Sequence, residues 1–300
     1  MGRKDFMLYD FILNFLCSEK ETIYNFGDSN SDTGAISAAF WPTPSPYGTS
    51  YFGKPAGRNS DGRLIIDFIA RNPMERNKLP RPQEFSRALY TFDIGQNDLA
   101  TGFRKFSMPQ LRSAIPDIVN QFAAAITRLY QQGTRAFWIH NTGPIGCLPA
   151  TAMYFRNRRP GLFNKYGCIR SQNAMAVEFN KQLKARINTL RAELPHAALT
   201  YVDIYSAKYH LIRNAIIYGF NDPFKICCGH HKNNVHVWCG QRLMINGTNI
   251  FGAACGSPAT CVSWDGVHYS QAANQWIANH ILNGSFSDPP IPISSACLKR

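Results

Sequence analysis

A doubly wound α/β sheet of parallel strands is the fold class this sequence predicts, on three observations. Four short apolar runs have the length and the β-branched or aromatic content of buried strands, and amphipathic helical stripes separate the later ones. Each of the first three runs also stops on a cluster of small or polar residues. Strand, helix and strand in alternation require parallel pairing through right-handed crossovers, with helices on both faces of the sheet.

The first strand is read at Thr22 to Phe26 (TIYNF), and it meets Gly27, Asp28 and Ser29 at its end. A helix follows at Leu64 to Ala70 (LIIDFIA). From Ile69 to Ala88 the chain carries three prolines and many charges, with no β-like run. The second strand is Ala88 to Ile94 (ALYTFDI), ending in Gly95, Gln96, Asn97 and Asp98. Ile115, Val119, Phe122, Ile126 and Leu129 then step along one helical face, with Gly133 where a C-terminal cap belongs. The third strand, Arg135 to Asn141 (RAFWIHN), stops on Thr142, Gly143 and Pro144. Ala176, Phe179, Leu183, Ile187, Leu190 and Leu194 form the next stripe, and the fourth strand is Leu199 to Tyr205 (LTYVDIY). Beyond Tyr205 the periodicity weakens into a loop-rich segment bearing cysteines. In such a sheet ligands bind outside the carboxyl ends of the strands, so the residues just past those ends are expected on one functional rim.

Composition agrees with one globular domain. The 300 residues are 45% hydrophobic and 17% charged, enough to bury a sizeable core. A single domain is read over residues 21–300, preceded at 1–20 by a degraded signal peptide. Its basic Met1-Gly2-Arg3-Lys4 start and apolar Phe6 to Cys17 run are interrupted by Asp10 and Asn14. Thirty-two Lys and Arg against 19 Asp and Glu give a net charge of +13, which suits an acidic partner such as a cell-wall polysaccharide. The basic run Arg156-Asn157-Arg158-Arg159 is short and has no nucleic-acid-binding signature beside it, so it reads as a solvated loop. No stretch approaches the roughly 20 apolar residues of a transmembrane helix. Nine cysteines, with Cys227, Cys228, Cys239, Cys255, Cys261 and Cys297 late in the chain, imply disulfides and an oxidising, extracellular setting. An odd number leaves at least one unpaired or intermolecular. The sequons Asn246-Gly247-Thr248 and Asn283-Gly284-Ser285 point the same way.

Serine becomes a nucleophile when a base takes its proton and a third group orients the base. Asp265 and His268, in Trp264-Asp265-Gly266-Val267-His268, have the spacing for a carboxylate to meet its own histidine in a tight turn. A structural hydrogen-bonded pair fits the same spacing. Ser29, at a strand end, is either the nucleophile or part of a loop whose Asp32 or Ser31 caps a helix starting near Thr33. Asn97 can offer a side-chain amide to an oxyanion, or close an Asx-turn or helix cap. His140 lies within a central strand and reads as a core residue. His230, His231 and His236 stand among Cys227, Cys228 and Cys239 without a regular metal-ligand spacing, which favours disulfides over zinc.

Taken together, the chain resembles the plant GDSL esterase/lipase family of the SGNH hydrolases. "FGDSNSDTG" (Phe26 to Gly34), "DIGQND" (Asp93 to Asp98) and "WDGVHYSQAAN" (Trp264 to Asn274) are similar to three of its blocks, and "PYGTSYFGKPAGRNSDGRLIIDFIA", "NTGPIGCLP" and "CCG" are family-like too. The resemblance implies a flavodoxin-like SGNH fold and a serine esterase that needs no cofactor or metal. Ser29 would be the nucleophile, His268 the base, Asp265 its orienting acid, and Asn97 with the Ser29 amide the oxyanion donors, acting on a small-molecule or lipid ester. Members of the family are longer. Between the "DFIA" helix and the "ALYTFDIGQND" strand they carry a further edge strand, ending in a Gly block that supplies another oxyanion donor. Here no Gly occurs from Leu64 to Ile94. The resemblance therefore implies a shortened member lacking that edge strand, with a catalytically impaired, secreted binding protein as the alternative.

Overall fold

In the computed structural model, residues 23–70, 86, 88–154, 160–232 and 235–296 are described. Residues 1–20, read above as a degraded signal peptide, the Arg156 to Arg159 run, Cys297 and nearly all of the proline-rich connector lie outside them. The central sheet contains β1 (Ile23–Gly27), β2 (Leu89–Asp93), β3 (Ala136–His140) and β4 (Ala198–Val202) in consecutive order, all parallel. Consecutive order is what a flavodoxin-like sheet shows once its outer second strand is taken away. Among the described residues β1 is an edge strand. At the other edge a two-residue strand, Ser287–Asp288, pairs antiparallel with β4, an addition the apolar runs do not signal.

The helices used below are α1 (Ala35–Ala39), α2 (Thr49–Phe52), α3 (Ile65–Ile69), α4 (Gln96–Lys105), α5 (Met108–Gln131), α6 (Pro149–Tyr154), α7 (Arg170–Glu193), α8 (Ile204–Arg213) and α9 (Gln271–Leu282). They flank the sheet in two groups, α5 packing on α7 and α9 packing on α3 and α8. The stripe in α5 buries Ile115, Val119 and Ile126, and that in α7 buries Ala176, Phe179, Leu183, Ile187 and Leu190. α5 opens with a capping box, Ser107 accepting from the Gln110 amide and Gln110 Oε1 accepting from the Ser107 amide. Gly133, at φ 104°, ends that helical segment as its position predicts.

One boundary is corrected. The fourth strand stops at Val202, three residues before the expected Tyr205, because Asp203 turns the chain into α8. Its Oδ1 accepts from the Ser206 amide at 3.0 Å and its Oδ2 from the Ser206 hydroxyl at 2.6 Å, a side-chain cap that ends extended structure. The segment after α8 carries two antiparallel hairpins, β5 (Gly229–Lys232) with β6 (Val235–Trp238) and β7 (Arg242–Ile245) with β8 (Thr248–Phe251). Disulfides Cys227–Cys255 and Cys228–Cys239 pin the first of them, and Cys147–Cys168 joins the start of α7 to the β3 end. Cys261 is the free cysteine of the described residues.

Candidate active site

Immediately after β1, Asp28 folds the chain over itself. Its carbonyl accepts from the amides of Ser31 and Asp32, its Oδ1 accepts from the Asn30 amide at 2.8 Å, and its own amide donates to the Asp93 carbonyl. Ser29 thereby stands at the crest of a tight turn, and its own N–H has no acceptor among the described residues. Asp32 meanwhile caps α1, its Oδ1 accepting from Gly34 and Ala35 at 2.9 and 2.7 Å. The two readings open for this stretch thus describe different residues of one turn: Asp32 caps, and Ser29 faces a histidine.

That histidine is His268. Its Nε2 lies 2.7 Å from Ser29 Oγ and its Nδ1 lies 2.6 Å from Asp265 Oδ2. The Asp-Gly-Val-His turn closes on itself, with Asp265 Oδ1 accepting from the amides of Val267 and His268 at 3.0 and 2.8 Å. Gly266 is required at its crest. It sits at φ 96°, and a Cβ there would meet Ile226 Cδ1 at 2.9 Å and Ala150 Cβ at 3.2 Å. The Asp265 carboxylate accepts a fourth bond, at Oδ2, from the Tyr47 hydroxyl at 2.8 Å. Tyr47 packs edge-on against the fully buried Trp264, ring centroids 6.0 Å apart.

The electrostatics assign the protons. Burial works to raise the Asp265 carboxyl, but the adjoining His268 charge and its hydrogen bonds outweigh it and hold Asp265 below the usual range. An ionised carboxylate can only accept, so His268 Nδ1 carries the hydrogen and Nε2 is left to accept from Ser29. Burial alone would lower His268, yet the Asp265 charge, its hydrogen bond and the more distant Asp28 leave it raised above 6.5. Burial, followed by the Asp265 charge, pushes Tyr47 far upward, so it stays a protonated donor. Such an arrangement can pull a proton off a serine hydroxyl and hold the resulting imidazolium beside a fixed negative charge.

Asn97 stands elsewhere on the rim. It is the second residue of α4, exposed, at the carboxyl end of β2. Because Gly27 pairs with Asp93, the Ser29 turn and the α4 start project from the same side of the sheet, but Asn97 makes no hydrogen bond to the other three residues. His140 is buried in β3, accepting from the Trp138 indole at 3.1 Å. Of the other histidines, His231 Nδ1 and His236 Nδ1 approach to 3.4 Å, while the neighbouring Cys227, Cys228 and Cys239 are taken up in disulfides. The stretch expected to lack an oxyanion donor, residues 71–85, lies outside the described residues. Tyr47 was not singled out from the sequence, because its partner is 218 residues away. The family-like stretch around it offers the one hint. That stretch docks on the start of α9 through Asp61 Oδ1, which accepts from the Gln271 amide at 2.7 Å.

Comparison with known proteins identifies the family. The model of the family described as "GDSL-like Lipase/Acylhydrolase" matches residues 23–281. A GDSL esterase/lipase of Arabidopsis thaliana is 44% identical, the alignment covering 93% of this chain and 90% of the relative. A GDSL esterase/lipase of Medicago truncatula is 38% identical over the same shares, and an esterase of Hevea brasiliensis 37% identical over 92% and 89%. The Arabidopsis alignment spans 348 positions against a chain of 300 residues, so part of that relative has no counterpart here, in keeping with an internally shortened member. The chain belongs to the GDSL-like lipase/acylhydrolase family, whose relatives named esterase or lipase make it an ester-hydrolysing serine hydrolase.

Proposed function

We propose that Ser29, His268 and Asp265 carry that hydrolysis, with Asn97 and the Ser29 amide receiving the oxyanion. The observation that supports it is the unbroken relay from Ser29 Oγ through both nitrogens of His268 to Asp265. His268 Nε2 takes the hydroxyl proton as Ser29 Oγ attacks the ester carbonyl, and Asp265 stabilises the imidazolium. The negative charge gathering on the carbonyl oxygen needs hydrogen-bond donors, and the Ser29 N–H, with no acceptor among the described residues, is available to be one. His268 then returns the proton to the departing alkoxide, leaving an acyl-serine. Water, deprotonated by the same Nε2, attacks the acyl-serine and restores the hydroxyl. Every proton is held by side chains of this chain, so the cycle calls for no cofactor. Turnover of a short-chain nitrophenyl ester by the purified protein, compared with Ser29→Ala, tests the assignment. The variant is expected to fall by about 10⁴-fold or more; equal rates in the two would overturn it.

The same reading extends to where the enzyme works. Exposed asparagines in both sequons and three disulfides among the described residues support an extracellular, glycosylated protein. No helix among the described residues is long and apolar enough to cross a membrane.

A further inference from the structure

Lys208 is one of the most deeply buried large side chains in the protein, 2% exposed, on the inward face of α8 beside Ile204, Ala207, Leu211 and Ile212. A lysine in such a position is costly unless opposite charge surrounds it. Its stem crosses the carboxyl end of the sheet: a Cβ added to Gly143, just beyond β3, would lie 3.1 Å from Lys208 Cδ and 3.6 Å from Nζ. The ammonium ends 5.0 Å from the ring centroid of Tyr269, the residue that follows His268. Two carboxylates lie within its electrostatic reach, Asp28 under the Ser29 turn and Asp93 at the end of β2. Asp93 Oδ2 is itself 4.0 Å from His140 Nδ1. A row of charge, with Lys208 buried and the two carboxylates half-buried, thus runs beneath the rim that carries the nucleophile.

We propose that Lys208 is a positioning residue for the reaction, its buried ammonium serving as counter-charge to Asp28 and Asp93 beneath the turns that carry Ser29 and His268. The proposal rests on the catalytic reading of Ser29, His268 and Asp265. The charges facing His268 are Asp265 from its own turn, Asp28 from the β1 turn and Lys208 from α8, while Tyr47 acts only through Asp265. Both carboxylates favour the imidazolium and Lys208 opposes it. Burial, then the neighbouring Asp93 charge, raises Asp28, and Lys208 works against that rise. At Asp93 burial is outweighed by His140 and Lys208, and the carboxyl is lowered. Removing the ammonium therefore has a defined sign. His268 holds its proton to higher pH, and the acid limb of kcat/KM, which reports the free enzyme's base, moves up.

The experiment is the pH profile of kcat/KM for wild type, Lys208→Met, Asp28→Asn and the double variant, on a nitrophenyl ester. On the acid side Lys208→Met is expected to lose activity severalfold relative to its own alkaline plateau. The Asp28→Asn limb is expected to move to lower pH, and the double variant to lie between the two. A merely structural lysine would lower the plateau or the melting temperature while leaving the midpoint in place. The His268 imidazole is also titrated by NMR in a Ser29→Ala background, which reads its proton affinity without turnover. Loss of turnover in wild type would then count against the catalytic reading alone. Should Lys208→Met not fold, Asp28→Asn against the double variant makes the same comparison with one fewer stranded carboxylate. A limb and NMR midpoint that stay put, or move down when the ammonium is removed, overturn the proposal.

Discussion

Tyr47 donates to the same Asp265 oxygen that receives His268 Nδ1, so it fixes the plane of the carboxylate against which the imidazole is aligned. A hydrogen bond to a charged group is worth about 1.5–3 kcal/mol. Its loss while the ring is kept should act on the transition state, where the imidazolium forms, rather than on substrate binding. Tyr47→Phe is therefore expected to lower kcat by about 10- to 100-fold with little change in KM. Steady-state kinetics check this, and an unchanged kcat would show that the turn's own amides suffice to hold Asp265. Ser29, Asp265 and His268 could be singled out as candidates because each sits in a short local pattern, a turn at a strand end or a carboxylate three residues from its histidine; the patterns alone left a loop residue and a structural pair open, and the family resemblance supplied the roles. Tyr47 and Lys208 could not be singled out. Their partners are far off in the chain, and Lys208 lies beyond Tyr205, where the sequence reads as a loop-rich segment of weakened periodicity rather than as α8.

At the level of elements, the parallel sheet and its two long helices were legible because their apolar patterns are local and strongly periodic. The β5 to β8 hairpins were not, since their short strands are half exposed and are held by cross-links rather than by a core stripe. Their position gives those cross-links a catalytic consequence. The amides of Cys227 and Cys228 donate to the carbonyls of Ser263 and Trp264, directly ahead of Asp265. Cys227–Cys255 and Cys228–Cys239 therefore clamp the strip from which the Asp-Gly-Val-His turn hangs. A cross-link stabilises chiefly by restraining the unfolded or loosened chain, and here the chain it restrains carries His268, the proposed base. Titration with a thiol reductant is expected to abolish esterase activity at concentrations that leave the far-UV circular dichroism of the sheet and helices intact. Activity and ellipticity falling together would mean that the clamp supports the whole fold rather than the turn.

The molecule as a whole has a net charge of +13, three disulfides among the described residues and two sequons, and the sequons bear most directly on where it works. Asn246 occupies the tip of the β7–β8 hairpin at φ 48°, in the left-handed region that asparagine tolerates in tight turns. Its side chain is exposed, as is that of Thr248. Asn283 is the C-cap of α9, and its Oδ1 accepts from the Ser285 amide and hydroxyl at 3.0 and 2.7 Å. Neither asparagine has to leave the core to receive a glycan, and neither lies in the Ser29 or Asp265–His268 turns. Glycosylation at both sites is therefore compatible with a folded, active enzyme, and it requires passage through an oxidising secretory route that would also form the disulfides. Protein isolated from its native tissue is expected to lose mass on enzymatic release of N-glycans. Recombinant Thr248→Ala and Ser285→Ala chains secreted from a eukaryotic host should each lose one glycan while retaining esterase activity. A native chain of unmodified mass, with its cysteines reactive toward a thiol reagent before reduction, would place the enzyme in a reducing compartment and overturn the extracellular reading.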